Sequence, residues 1–397
     1  MKDFLLDIKT LFLRGTLAFP LLLVLAFGLI GYTDYILCLF SACVFLFCLK
    51  KIPIKRDCIL LIVFAFTYTL IYLINGYYRT IPHTFGFFCS FFTFYIFGCY
   101  IVKSVPNERT LLNLLLLVTL LICTPYYIET IIDIRETSFI NITRAMTLSG
   151  EEVSDDNMIN ATIIGLTVSF GLAGLGTFFS FNKKRVGSLY CWLFVAITVF
   201  SLLVNIHIVN RTAIVAFVAC LMVSLYYQLR AKNSAMIIGM LLIILLLIVF
   251  LPDISVFSDD MVTAYQDRAS SERSSFGNRP NLWAQNIPYL LTNPLGWREE
   301  TGFAHNMWLD LARECGIIPF VIFISFTVQI IKNVTRLFYI KNSPLVCFLI
   351  GINTVILLYG FVEPVFQANR LFFYICCFIW GIQAQLLESK QIQTIDR

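Results

Sequence analysis

The run Gly302-Phe303-Ala304-His305-Asn306-Met307-Trp308-Leu309 holds the side chain best suited to moving a proton at neutral pH. Imidazole has the ordinary side-chain pKa nearest neutrality, so His305 at a membrane-surface cleft would take a proton from a hydroxyl. Arginines gather around it in sequence, with Arg268, Arg273, Arg279 and Arg298 before it and Arg313 after it. Elsewhere in the chain stand Arg144, Arg211 in His207-Ile208-Val209-Asn210-Arg211-Thr212, and Arg370. Guanidinium groups offer forked donors that suit planar or phosphate-bearing anions. The competing reading is that these arginines snorkel at a membrane edge and pair with Glu151, Glu152, Asp155, Asp156, Asp259 and Asp260. His83 and His207 are read as structural.

The elements that must hold these residues are set by composition. With 59% hydrophobic and 13% charged residues and a mean hydropathy of +0.82, a water-soluble globule is excluded. The expected fold class is an all-α polytopic membrane protein, a single integral membrane domain over 1–397, because helices satisfy their own backbone groups in lipid. Twelve apolar runs approach the roughly 17–25 residues that a span needs. They lie at about 15–32, 34–50, 58–75, 84–102, 110–128, 158–181, 187–207, 211–229, 234–252, 315–332, 344–363 and 371–387. The first is read as an anchor and not a removable signal peptide, since another span follows at once.

Orientation follows from the loop cations. With both termini cytoplasmic, every lysine falls inside and every outer cation is an arginine. The outer side then carries two loops, 129–157 and the large 253–314. Pro294 and Gly296 divide the large loop into two expected surface helices, near 279–291 and near 305–314. In the second, helical spacing would point His305 and Asp310 apart, so His305 needs no carboxylate from its own helix. All 13 cysteines fall in or at the edge of apolar spans, which gives neither a disulfide framework nor metal-ligand spacing.

These features resemble the O-antigen polymerase and O-antigen ligase superfamily of bacterial inner-membrane glycosyltransferases. The resemblance is carried by Asn210-Arg211-Thr212 at a span start, one large outer loop, Asn293-Pro294-Leu295-Gly296, and Ala304-His305-Asn306. The ligase pattern of His-Asn, nine residues, then Gly is met by His305-Asn306 and Gly316. It usually closes with Gly, Thr or Tyr three residues later, where this sequence has Pro319. That departure and Asn278-Arg279-Pro280-Asn281-Leu282-Trp283 bring the chain nearer to the repeat-unit polymerases.

The resemblance implies a GT-C-like fold with a periplasmic active site. It implies a metal-independent, cofactor-free, inverting transfer of a glycan from undecaprenyl diphosphate onto a second lipid-linked repeat unit, in O-antigen or capsule synthesis. His305 would be the base; Arg211 and Arg279 would hold the diphosphate, with Arg144 assisting. Arg273, Arg313, Asn306 and Arg370 are secondary candidates. The implied partners are lipid-linked oligosaccharide donor and acceptor, membrane lipid and a chain-length regulator protein; nucleic acid is not expected. The alternatives are a ligase transferring the glycan to lipid A core, and a lipid-linked oligosaccharide flippase or transporter. The last is disfavoured because the spans carry essentially no ionisable residues away from their ends. Sugar identity and linkage stay open.

Overall fold

The computed structural model describes residues 33–48, 52, 55–77, 81–105, 107–137, 145–146, 159–181, 188–230, 238–239, 279–340, 343–368 and 370–395. Among them, nine helices are long and apolar enough to cross a membrane, and a shorter apolar helix covers Tyr35–Phe47. Together these ten match ten of the twelve expected runs. The run 15–32 and, apart from 238–239, the run 234–252 lie outside the described residues, as do Arg144, Arg273, most of the loop 129–157 and the 253–278 part of the large loop. The protein is an all-α polytopic membrane protein; its only described strands are the two-residue antiparallel pair Ala145–Met146 and Ile159–Asn160.

The chain divides into two compact units. The first lies within 119–279 and 340–359. It takes in the later part of α4 (Glu108–Thr137), then α5 (Ala161–Val168), a 3-10 turn Ser169–Ala173, α6 (Gly174–Ser180), α7 (Ser188–His207), α8 (Arg211–Arg230) and most of α13 (Pro344–Val362). The 3-10 turn interrupts one span, and its freed backbone groups find hydroxyl partners on α7. Ser201 Oγ donates to the Val168 carbonyl at 2.6 Å, Thr198 Oγ1 donates to the Gly171 carbonyl at 2.9 Å, and Leu175 N–H donates to Thr198 Oγ1 at 2.9 Å. The helix α4 also runs past the expected span end at 128, because the polar residues beyond it continue the helix and Asp133 finds a partner there.

The second unit lies within 2–118, 280–339 and 360–397. It contains α1 (Thr33–Phe47), α2 (Arg56–Ile74), α3 (Ile81–Ser104), α9 (Arg279–Asn286, from Pro280 onward), α10 (Tyr289–Thr292), α11 (Met307–Cys315), α12 (Ile317–Leu337), α14 (Val365–Ala368) and α15 (Arg370–Ile395). Two glycines let α3 and α15 pack backbone to backbone: a Cβ on Gly98 would strike the Phe378 carbonyl, and one on Gly381 the Tyr95 carbonyl. Rings of Phe64, Phe91, Phe323, Phe366 and Phe373 interlock from five different helices, filling the core of this unit.

Candidate functional site: a strained histidine at the head of a clamped helix

The helix expected near 305–314 starts two residues later, at Met307, and it is not a surface helix. Met307, Trp308, Asp310, Leu311, Ala312, Arg313, Glu314 and Cys315 are all buried. Asn306 is its N-cap, the side-chain oxygen accepting from the N–H groups of Trp308 at 3.2 Å and Leu309 at 3.1 Å. His305 therefore stands just outside the helix, with φ of +51°, in the left-handed region that side chains other than glycine rarely enter.

Asp310 holds that strained backbone. Its carboxylate is fully buried and accepts from Ala304 N–H at 2.7 Å through one oxygen and from Asn306 N–H at 2.9 Å through the other. The backbone N–H groups of the residues on either side of His305 are thus pinned by one side chain. Burial pushes the Asp310 carboxyl up from 3.8 to about 6, while those two N–H groups and Arg313 pull it down. The sequence spacing separates Asp310 from His305, yet through the backbone Asp310 supports it on both sides.

The far end of α11 is closed by the other half of the sequence pattern. Gly316, at φ +77°, is the C-cap, and a Cβ there would collide with the Pro294 carbonyl. That carbonyl accepts from Ile317 N–H at 3.1 Å, and Trp297 N–H donates to the Arg313 carbonyl at 2.7 Å. Gly296, at φ +116°, lies against the Glu314 carbonyl, where a Cβ would come within 2.6 Å. Asn293-Pro294-Leu295-Gly296 and His305-Asn306…Gly316 are accordingly one joint. The nine residues between Asn306 and Gly316 are the helix itself.

Arg313 is engaged in the same joint. Its Nη1 donates to the carbonyls of Arg298 at 2.8 Å and Thr301 at 2.7 Å, and its guanidinium lies 4.6 Å from the Phe303 ring centre. Burial lowers its pKa from the ordinary value, with Asp310 opposing. Its Nη1 thus holds the 298–303 loop, which the buried Asn286 ties to α9 through Trp297 Nε1 and Thr301 Oγ1, both at 2.8 Å, while its Nε lies 3.8 Å from Asp310 Oδ1. Arg370 faces the tyrosines Tyr374, Tyr68 and Tyr72, and Tyr68 donates to Glu314 on α11. Asn75 at the end of α2 donates to the carbonyls of Leu295 at 2.9 Å and Glu314 at 3.1 Å. In this unit, then, α11 sits where α2 ends and where α12 and α15 begin.

One residue of the site has no counterpart in the sequence reading. Glu363 is buried, and its Oε2 lies 3.6 Å from His305 Nδ1. The signal for it was an acid at the end of an apolar span directly before Pro364.

Arg211 belongs to the first unit and opens α8, as the span pattern requires. The turn before it is tightly built. Val209 has φ of +54°, Asn210 N–H donates to the Asn205 carbonyl at 2.8 Å, and Asn210 Nδ2 donates to Asn205 Oδ1 at 2.9 Å and to the Tyr359 hydroxyl at 3.1 Å. Gly165 leaves room for that amide. His207, fully buried, meets Asp133 through Nε2 at 2.6 Å. Arg279 is the first residue of α9, followed by Pro280 in the first turn, where its missing N–H leaves no gap. The structure thus gathers His305, Asn306 and Arg313 around one joint, and within the first unit it sets Arg211 directly after a hydrogen-bonded turn.

Residues 196–324 match the family model described as O-antigen ligase. That stretch of 129 residues out of 397 runs from α7 through Arg211 and the whole joint into α12, and it supports the O-antigen polymerase and ligase superfamily. Among curated proteins none matches. The family match implies a membrane glycosyltransferase that acts on lipid-linked oligosaccharides.

Proposed function

We propose that the protein is a repeat-unit polymerase of O-antigen or capsule synthesis. It transfers a glycan from undecaprenyl diphosphate to a hydroxyl of a second lipid-linked repeat unit. The observation that carries the reading is His305: an imidazole held in a strained conformation within the joint that falls inside the family match. Strain that the surroundings over-determine is a feature of functional positions. In the step proposed, the acceptor oxygen attacks the anomeric carbon as its proton passes to His305 Nε2. The bond to the diphosphate oxygen breaks on the opposite face, inverting the configuration. Arg211 and Arg279 stabilise the charge that develops on the leaving diphosphate, with Arg144 assisting; fixed guanidinium donors are effective where water is scarce. The lysine distribution supports a periplasmic site in the inner membrane.

The description of the matching family favours one second reading, a ligase that delivers the glycan to lipid A core. Against it stands Pro319, in the first turn of α12 where the ligase pattern usually has Gly, Thr or Tyr. Deletion of the gene separates the two. Loss of a polymerase leaves a single repeat unit on the core, whereas loss of a ligase strands long chains on the carrier. Normal long-chain polysaccharide ladders in His305→Ala, Arg211→Ala and Arg279→Ala proteins that insert normally would refute both.

A further inference from the structure

We propose that Glu363 is the positioning residue for the His305 ring, fixing which nitrogen faces the acceptor. This rests on the reading of His305 as the base. His305 Nδ1 is buried and makes no hydrogen bond, while the ring as a whole is 41% exposed, so the open edge carries Nε2. The group that Nδ1 confronts is the Glu363 carboxylate at 3.6 Å, slightly beyond hydrogen-bond length. Catalytic hydrogen bonds are often long before substrate binds and tighten in the complex.

The placement of Glu363 is built by several independent contacts. Gly360 presses on α11, where a Cβ would come 3.1 Å from Met307 Cε and 3.3 Å from Trp308 Cη2. The Phe361 ring centre lies 4.7 Å from that of Trp308, and Asn306 Nδ2 donates to the Phe361 carbonyl at 3.3 Å. Pro364 restricts the backbone of Glu363, and Val365 N–H donates back to the Glu363 carbonyl at 2.9 Å. The N-cap of α11 and the end of α13 are therefore joined on both sides of the His305–Glu363 contact. Asp310 fixes the backbone of His305, and Glu363 fixes the ring.

With Nδ1–H donated to Glu363, the lone pair on Nε2 is turned outward to receive the acceptor's proton. The resulting imidazolium keeps its Nδ1–H against the carboxylate, which stays unprotonated, and Nε2 returns the proton to solvent. A carboxylate that orients a histidine in this way acts on the chemical step and not on binding.

The experiment compares Glu363→Gln, Glu363→Asp and His305→Gln in membranes supplied with lipid-linked repeat units, measuring kcat, KM and melting temperature. Glu363→Gln is expected to lower kcat on the order of 100-fold with KM within about twofold, because orientation and charge support act in the transition state. Glu363→Asp keeps the charge at shorter reach and retains more turnover than Gln, though less than wild type. It reads the same point should the Gln variant fail to accumulate. Wild-type kcat in either variant, or a loss confined to melting temperature, overturns the proposal. Inactive His305→Gln beside fully active Glu363→Gln refutes the positioning role and leaves His305 as base, whereas a fully active His305→Gln refutes the base itself.

Discussion

Replacing Asp310 by Asn should disable the protein without weakening it. At neutral pH the buried carboxylate is held against its own burial, and the rise from 3.8 to about 6 corresponds to roughly 3 kcal/mol at 1.36 kcal/mol per pH unit. That figure already contains the two N–H groups it accepts. A neutral amide relieves it, then gives back about 1–3 kcal/mol because its NH2 must face one of the two backbone donors. The net effect runs from nothing to about 2 kcal/mol of stabilisation, so Asp310→Asn should melt at or a few degrees above wild type. Turnover should nevertheless fall at least tenfold, since one of the two N–H groups on either side of His305, that of Ala304 or that of Asn306, is released. The pH dependence has the matching sign. The folded pKa lies above the unfolded one, so the contribution of Asp310 to stability is fully present below about 3.8 and lost as pH rises through about 6. Activity responds oppositely, declining as pH falls through that value. Thermal melts of the detergent-purified protein alongside chain-extension assays decide the matter. An Asn variant that melts well below wild type, or that extends glycan at the wild-type rate, refutes the clamp.

Other substitutions separate scaffold from chemistry. His305→Gly removes the left-handed strain and should raise stability by about 1 kcal/mol in a melt while abolishing extension. Gly316→Ala forces a Cβ onto the Pro294 carbonyl at a positive φ, and should cost more than about 2 kcal/mol and reduce the folded yield in fluorescence size-exclusion runs. Arg211→Lys keeps the charge but loses the fork, and should retain less than about a tenth of wild-type extension with normal melting. Asn306→Ala removes a cap oxygen that accepts from two N–H groups, with a cost of about 1 kcal/mol visible in the same melts.

The spans were legible because twenty apolar residues in a row have few other uses, and Arg211 was legible because a lone cation at a span edge breaks that monotony. The joint was legible only as a pattern. Nothing in Asn293-Pro294-Leu295-Gly296 says that its carbonyl meets Gly316, since glycine signals a permitted conformation without naming the neighbour that requires it. His305 stands out in the sequence by its chemistry, yet the left-handed backbone beneath it leaves no mark in composition. Counting faces from residue 305 separates Asp310 from His305, but the helix begins only at Met307 and Asp310 reaches back to the backbone before it. An acid one place later than in the usual capping box was the available hint. Glu363 is distant in the chain, and only packing brings it to His305. In sequence Arg313 reads as one more anion binder, whereas its Nη1 is turned onto two carbonyls of the preceding loop.

A helix bracketed by a capped start and a glycine stop cannot have its register edited. One inserted residue would swing everything beyond it by about 100° and 1.5 Å. Gly316 would leave the Pro294 carbonyl, and Asn306 with its neighbouring imidazole would leave the end of α13. Relatives that diverge here must do so by exchanging side chains at constant length, and a library aimed at new acceptors should be built from substitutions alone.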